Sequence, residues 1–192
     1  MFSKEDLLEL VLRVARVAGV KTSIGGGIAV YAHGFRRDTA DVDAFFHFED
    51  RLKVLRALRK IQDDDLSQDF VLEELHPSHW TLTQLGSPPD ERVDLLFASG
   101  DPEESAVEMS VPKTYHKIKI PVFPVDLLVI SKLLAEREGA KDALDIYELH
   151  RKGAFEVSEV ATRLRQMGFD EDAQRFPEFM NYLNALSTKR RR

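Results

Sequence analysis

The sequence predicts an α+β fold: a small mixed β-sheet flanked by helices, followed by a C-terminal helical region. Three observations carry this prediction. The amino end repeats apolar residues at helical spacing, strand-like runs gather between residues 41 and 122, and from Pro124 onward only helical patterns remain. Pro121 and Pro124 mark the change, which divides the chain into a sheet-bearing core over 1–122 and a helical region over 123–192.

Ser3, with Asp6 three residues on, is a variant capping signal. Leu7, Leu8, Leu10, Val11, Val14 and Val17 then follow the helical period until Gly19 stops it. Residues 21–24 read as a short strand entering Gly25-Gly26-Gly27, and 28–31 as a short helix ended near Gly34. Residues 41–48 are apolar or aromatic except for Asp41, Asp43 and His47, a strand composition interrupted by acids. Asp50 suits the cap of an amphipathic helix carrying Leu52, Val54, Leu55, Leu58 and Ile61, which runs into the solvated acids Asp63-Asp64-Asp65.

Residues 70–72, 80–85 and 92–97 are further strands, separated by turns such as Gly86-Ser87-Pro88-Pro89, and 117–122 is the last. Helices follow over 125–136, 140–150, 157–166 and 173–187. Glu138-Gly139-Ala140 is the expected break between the first two, because glycine is a poor residue for a helix interior. The helices of the core are expected on one face of the sheet.

The 192 residues suffice for one domain that buries about 70% of its unfolded surface. No apolar run approaches the roughly 20 residues of a membrane span. The amino end is charged at once, which is not a signal-peptide layout, and with no cysteine present a disulfide framework and thiolate metal sites are excluded. A cytoplasmic protein is the expectation. The net charge of -6 gives no global attraction to nucleic acid, although Lys189-Arg190-Arg191-Arg192 forms a local basic tail, and a local patch of that kind leaves RNA open as an acceptor.

On a strand, side chains two apart share a face, so Asp41 and Asp43 project together while Val42 and Ala44 point into the core. Two like charges held close are most readily tolerated beside a divalent cation, and hard carboxylate oxygens suit magnesium or manganese. The plainer alternative is an edge strand with solvated acids. Core-like Val42, Ala44, Phe45 and Phe46 favour the metal. Asp94 is again a single carboxylate in an apolar strand; beside the first pair it completes a cage for two metals roughly 3.5–4 Å apart. Gly25-Gly26-Gly27, between strand and helix, offers backbone N–H groups to a phosphate, or is a plain turn. No dinucleotide or P-loop fingerprint is present.

Ile24-Gly25-Gly26-Gly27-Ile28-Ala29 followed by Gly34-Phe35-Arg36-Arg37-Asp38-Thr39-Ala40-Asp41-Val42-Asp43 resembles the signature of the DNA polymerase β nucleotidyltransferase superfamily. Within it the chain is most similar to the bacterial AbiEii-type toxins of type IV toxin–antitoxin systems. The resemblance spans most of residues 22–149 and implies a nucleotidyltransferase fold whose C-terminal helices close a nucleotide cleft. It further implies magnesium- or manganese-dependent transfer of a nucleoside monophosphate from a nucleoside triphosphate to an acceptor hydroxyl. Asp41, Asp43 and Asp94 would be the catalytic, metal-holding acids, and Gly26, Gly27, Arg37 and Thr39 would meet the nucleotide.

A helical motif of the family that supplies lysine and aspartate fits Lys132, Lys141, Asp142 and Asp145. Each lysine suits a triphosphate oxygen, although Lys141 and Asp145, four apart, also suit a solvated ion pair. The acceptor stays open between tRNA and a small molecule of the aminoglycoside kind, and a cognate antitoxin is an implied partner. A catalytically silent binding module is the other reading, and retention of all three acids argues against it.

His76-Pro77-Ser78-His79 invites zinc, but no acid lies between the two histidines and loop histidines are ordinarily surface residues. Tyr31, Trp80 and Tyr115 read as core or rim aromatics rather than base-stacking platforms.

Overall fold

The computed structural model describes residues 3–64, 70–84, 88, 91–135 and 140–189, with side chains to 186. Helix α1 (Lys4–Ala18) starts as its sequence dictates: Asp6 N–H donates to Ser3 Oγ at 3.1 Å and Ser3 N–H to Asp6 Oδ2 at 2.8 Å. It ends at Gly19, whose φ of 65° is the left-handed conformation that glycine reaches without strain. Strand β1 (Ser23–Ile24) is shorter than expected, and α2 (Gly26–Ala32) follows it at once. Strand β2 (Val42–His47) leads through a 3-10 turn (Phe48–Asp50) into α3 (Arg51–Asp64). The Asp50 carboxylate meets Lys53 Nζ at 2.6 Å.

Strands β3 (Phe70–His76), β4 (His79–Gln84) and β5 (Arg92–Ala98) come next, β3 running four residues beyond the predicted span. Helix α4 (Glu103–Glu108) and strand β6 (Val111–Tyr115) were not expected from the sequence; β7 (Ile118–Val122) was. Helices α5 (Val125–Leu134), α6 (Ala140–Arg151), α7 (Val157–Gln166) and α8 (Asp170–Lys189) complete the chain. Helix α8 begins three residues before its predicted start and carries Pro177 within it. Several expectations lie outside the described residues: Asp65, Leu85, most of the 86–89 turn, Glu138-Gly139, and the basic tail beyond the backbone of Lys189.

The strands form one mixed sheet in the order β3-β4-β5-β2-β1-β7-β6. The β2–β5 and β1–β7 pairs are parallel and the others antiparallel. Val42, Ala44 and Phe46 of β2 are fully buried, beside Val93, Leu95 and Phe97 of β5, and the Phe46 and Phe97 rings lie 6.0 Å apart. Helices α1 and α3 pack on each other, and α1 also touches β2 and β7.

Helices are not confined to one face, as the sequence reading had them. Alternation puts His47 on the same face as Asp43, and there Glu108 of α4 approaches His47 Nε2 at 2.7 Å. The physical reason is burial: Phe45 and His47 need cover on that face too, and α4 and the start of α2 provide it. Among the described residues no helix is long and apolar enough to cross a membrane.

The capping box gives a direct test. Ser3→Ala should lower stability by about 1 kcal/mol at neutral pH, read from urea unfolding. The backbone and side-chain bonds from Ser3 hold the Asp6 carboxyl below its ordinary value. Their contribution is therefore present above the ordinary carboxylate range and lost as pH falls through the lowered value, so the Ser3→Ala difference should shrink in strong acid.

Candidate active site

The glycine turn is pinned to the acidic strand. Ser23 and Ile24 pair with Phe45 and Ala44, and Gly25 N–H donates to the Asp43 carbonyl at 2.9 Å, which carries the β1–β2 ladder up to the start of α2. Gly26 follows with φ 52°, and a Cβ built there would stand 1.6 Å from Asp43 Oδ2. A Cβ on Gly27 would stand 2.6 Å from Thr39 Oγ1 and 3.1 Å from Arg37 Nη1. The two glycines thus let the backbone come against three of the predicted site residues, where any side chain would displace them.

The acids come together through long-range strand pairing. In the parallel β2–β5 ladder Asp43 is the register partner of Asp94, and Asp41 stands immediately before the first residue of β2. One carboxylate oxygen from each of Asp41, Asp43 and Asp94 lies within 4.8 Å of the others. Asp94 is buried and the other two are half-buried.

Burial pushes the Asp41 carboxyl up, but it is outweighed. Thr39 Oγ1 donates to Asp41 Oδ1 at 2.5 Å, the backbone adds a further bond, and the Lys141 and Arg92 charges help to hold Asp41 below the usual carboxylate range. Thr39 thereby acts on the acid rather than standing apart from it. Three hard oxygen donors on two adjacent strands are a donor set that fits a divalent cation of the magnesium kind.

Two further residues reach Asp94 that the sequence did not single out for the site. His79 Nε2 lies 3.0 Å from Asp94 Oδ1, and Arg92 Nε donates to both oxygens, at 3.0 and 3.2 Å. Arg92 was findable, since it stands two residues before Asp94 and so shares its face. His79 was not, because it arrives through the antiparallel β4–β5 pairing. The paired histidines do not make a zinc site: His76 Nδ1 turns to Ser78 Oγ at 2.8 Å, and among the described residues the three aspartates are the group arranged to hold a metal. Trp80 and Tyr115 are buried core aromatics, and Tyr31 meets Tyr115 edge-on at 4.9 Å.

Ion pairs tie the segment between α2 and β2 to α6, and α6 in turn to α5. Arg37 donates from Nε and Nη2 to the two oxygens of Asp145, at 2.7 and 2.8 Å, and from Nη1 to the Asp38 carbonyl. Lys132 Nζ lies 2.5 Å from Asp142 Oδ1 and 2.8 Å from Asp145 Oδ2. Asp145 is fully buried, so it accepts two cations where no water competes. The ion pair that spacing suggested between Lys141 and Asp145 does not form among the described residues. Lys141 is exposed instead, with its charge acting on Asp41.

Comparison with known proteins gives the family and the fold. The chain matches the family model described as nucleotidyl transferase AbiEii toxin, type IV toxin–antitoxin system, over residues 19–185. Among solved structures it is similar to the antibiotic-resistance factor ANT(2'')-Ia, with a TM-score of 0.54 at 13% identity, covering 97% of this chain and 94% of that one. It is similar also to an antigenic nucleotidyltransferase-like protein from Paracoccidioides brasiliensis, with a TM-score of 0.52 at 18% identity and coverage of 95% and 92%. The lincosamide antibiotic adenylyltransferase LnuA gives a TM-score of 0.50 at 18% identity, with coverage of 76% and 96%. At these identities the likeness is one of fold. No curated protein matches the chain in sequence. The family match takes in every glycine, acid and cation of the candidate site: the chain belongs to the AbiEii nucleotidyltransferase family of type IV toxin–antitoxin systems, and it is a nucleotidyltransferase.

Proposed function

We propose that the protein transfers a nucleoside monophosphate from a nucleoside triphosphate to an acceptor hydroxyl, with magnesium or manganese as cofactor. The observation that carries this reading is the convergence of Asp41, Asp43 and Asp94 within 4.8 Å. Asp41 and Asp43 hold the metal, and Asp94 completes the set on the side away from the glycine turn. When bound, the metal supplies Lewis acidity to the triphosphate and lowers the pKa of the attacking hydroxyl.

The remaining work falls to the chain. Gly26 and Gly27 present backbone N–H groups to the phosphates, and exposed Lys141 is placed to meet a triphosphate oxygen as a point charge. Thr39 keeps Asp41 oriented and ionised. Arg37 and Lys132 were expected at the nucleotide, but their bonds to Asp145 and Asp142 favour a positioning role, in which they hold the 35–41 loop beneath the phosphates. In the reaction the acceptor oxygen bonds to the α-phosphorus and the bond from that phosphorus to the bridging oxygen breaks. Pyrophosphate leaves with the electron pair, and the hydroxyl proton passes to solvent.

We read residues 1–122 as the catalytic core and 123–192 as the helical region that covers it. Family membership supports a cognate antitoxin as a partner.

The donor site is tested by thermal unfolding with each nucleoside triphosphate, with and without magnesium. At about 100 times its dissociation constant the preferred triphosphate should add roughly 2.7 kcal/mol of stability, only with the metal and not in Asp43→Asn. No shift with any triphosphate would sink the reading.

Gly26→Ala forces Asp43 aside and strains a left-handed residue. It should cost about 1–2 kcal/mol of stability and remove the magnesium-dependent shift. A variant that kept the full shift would show that the close approach is dispensable.

Asp145→Ala removes the buried carboxylate shared by Arg37 and Lys132 and should cost about 3–5 kcal/mol in urea unfolding. A loss under about 1 kcal/mol, the range of an exposed pair, would contradict a buried tie.

A further inference from the structure

The sheet face that bears the acids continues past them. Two residues along, Phe45 and Leu96 are register partners as Asp43 and Asp94 are, and alternation keeps all four on one face. Phe45 and Leu96 begin a cleft of about 610 Å³, a volume within the range that small-molecule sites occupy. Ala98 extends its floor, and Leu134 of α5 and Phe169 form the facing wall.

Its charged groups are of one sign among the described lining residues. Asp101 and Glu103 line it together with Ser78, Ser99 and Ser131, and no lysine or arginine stands among the described lining residues. Ser131 Oγ donates to Glu103 Oε1 at 2.8 Å, and Ser105 Oγ donates to Asp101 Oδ1. Each hydroxyl thus orients one carboxylate oxygen.

The position of the cleft decides its occupant. In the strand order β5-β2-β1, the glycine turn follows β1, on one side of β2. The cleft lies toward β5, on the Asp94 side. If the phosphates lie at the glycines, as the nucleotidyl-transfer reading requires, the cleft is where the group attacking them must sit.

We propose that this cleft binds the acceptor, and that the acceptor is a small organic cation with an apolar face and a hydroxyl presented toward Asp94. This rests on the nucleotidyl-transfer reading above. Apolar walls reward burial of a hydrocarbon or ring face, and carboxylates in a recessed site attract a protonated amine. A polyanion meets the opposite field, so an RNA end is disfavoured here. The acceptor's hydroxyl oxygen bonds to the α-phosphorus, pyrophosphate departs with the electron pair of the broken bond, and the proton goes to solvent.

The test uses the full chain and ligand-observed NMR, with two probes of matched shape and opposite charge: naphthylethanolamine, a cationic amino alcohol, and naphthylacetate, an anion. A short single-stranded RNA with a free 3′-hydroxyl serves as competitor. Naphthylethanolamine should bind, naphthylacetate should not, and the RNA should fail to displace the amine. Glu103→Gln should weaken the amine about tenfold, as loss of one charge-assisted hydrogen bond does.

Leu96→Trp fills the floor and should abolish amine binding. Ala135→Phe, from the facing wall, repeats the test should Leu96→Trp fail to fold. Both variants should keep the magnesium-dependent triphosphate shift. Equal binding of the two naphthyl probes, displacement of the amine by RNA, or failure of the amine to bind would each overturn the proposal. So would loss of the triphosphate shift in the folded cleft variants, which would make the cleft the nucleoside pocket. A wild-type protein that shows no triphosphate shift, yet binds the amine in a way Leu96→Trp abolishes, would overturn the nucleotidyl-transfer reading and leave the cation site standing.

Discussion

The parallel pairing of β2 with β5 sets Asp43 beside Asp94 and leaves Asp41 one residue before the ladder, so three carboxylates share a space less than 5 Å across. Like charges at such separations repel, and the surrounding structure is arranged to hold them there. The flanking apolar residues Val42, Ala44, Val93 and Leu95 are buried on the opposite face, so neither strand can rotate its acids away without exposing its core side. Thr39, His79 and Arg92 each bring a donor to one of the acids. The site is therefore held by the sheet's own register, and its charge is moderated by residues from three different segments.

The same constraint explains the two glycines. A strand that presents Asp43 to the cleft also presents it to the turn after β1, and only backbone without a Cβ fits in the space that remains. Turn and acid are thus mutually exclusive with any larger residue at Gly26. Sequence reading singled out these glycines for the backbone N–H groups they offer a phosphate; the structure adds that Gly26 has no room for a side chain beside Asp43.

Much of the fold was legible because its signals are local. The alternation of acid and apolar residues in 41–48 and 92–97 fixed which side chains share a face, and the helices of the C-terminal third follow their apolar period closely. What escaped was either weakly patterned or non-local. Helix α4 has only Ala106 and Val107 buried, too few to register as a helical stripe, and β6 is an edge strand that tolerates Pro112, a residue that argues against a strand when read alone. The pairing suggested for Lys141 and Asp145 rested on helical spacing. Asp145 is instead taken by Arg37, 108 positions upstream, because a fully buried carboxylate gains more from a bidentate guanidinium than from an exposed neighbour. No local pattern carries that information.

The Arg37–Asp145 tie has a consequence for the order in which the chain becomes competent. Arg37 belongs to the segment that shapes the glycine turn and the acids, and its partner is made only after a further 108 residues. Strand β7, which flanks β1 on its other side, is likewise late. During synthesis the acids and glycines all leave the ribosome long before the groups that clamp them, so the early chain holds the three aspartates and the glycine turn without the contacts that fix their geometry. That delay leaves the unfinished chain without its clamp: the segment beside the glycine turn and the acids is tied down only once the C-terminal helices have been made.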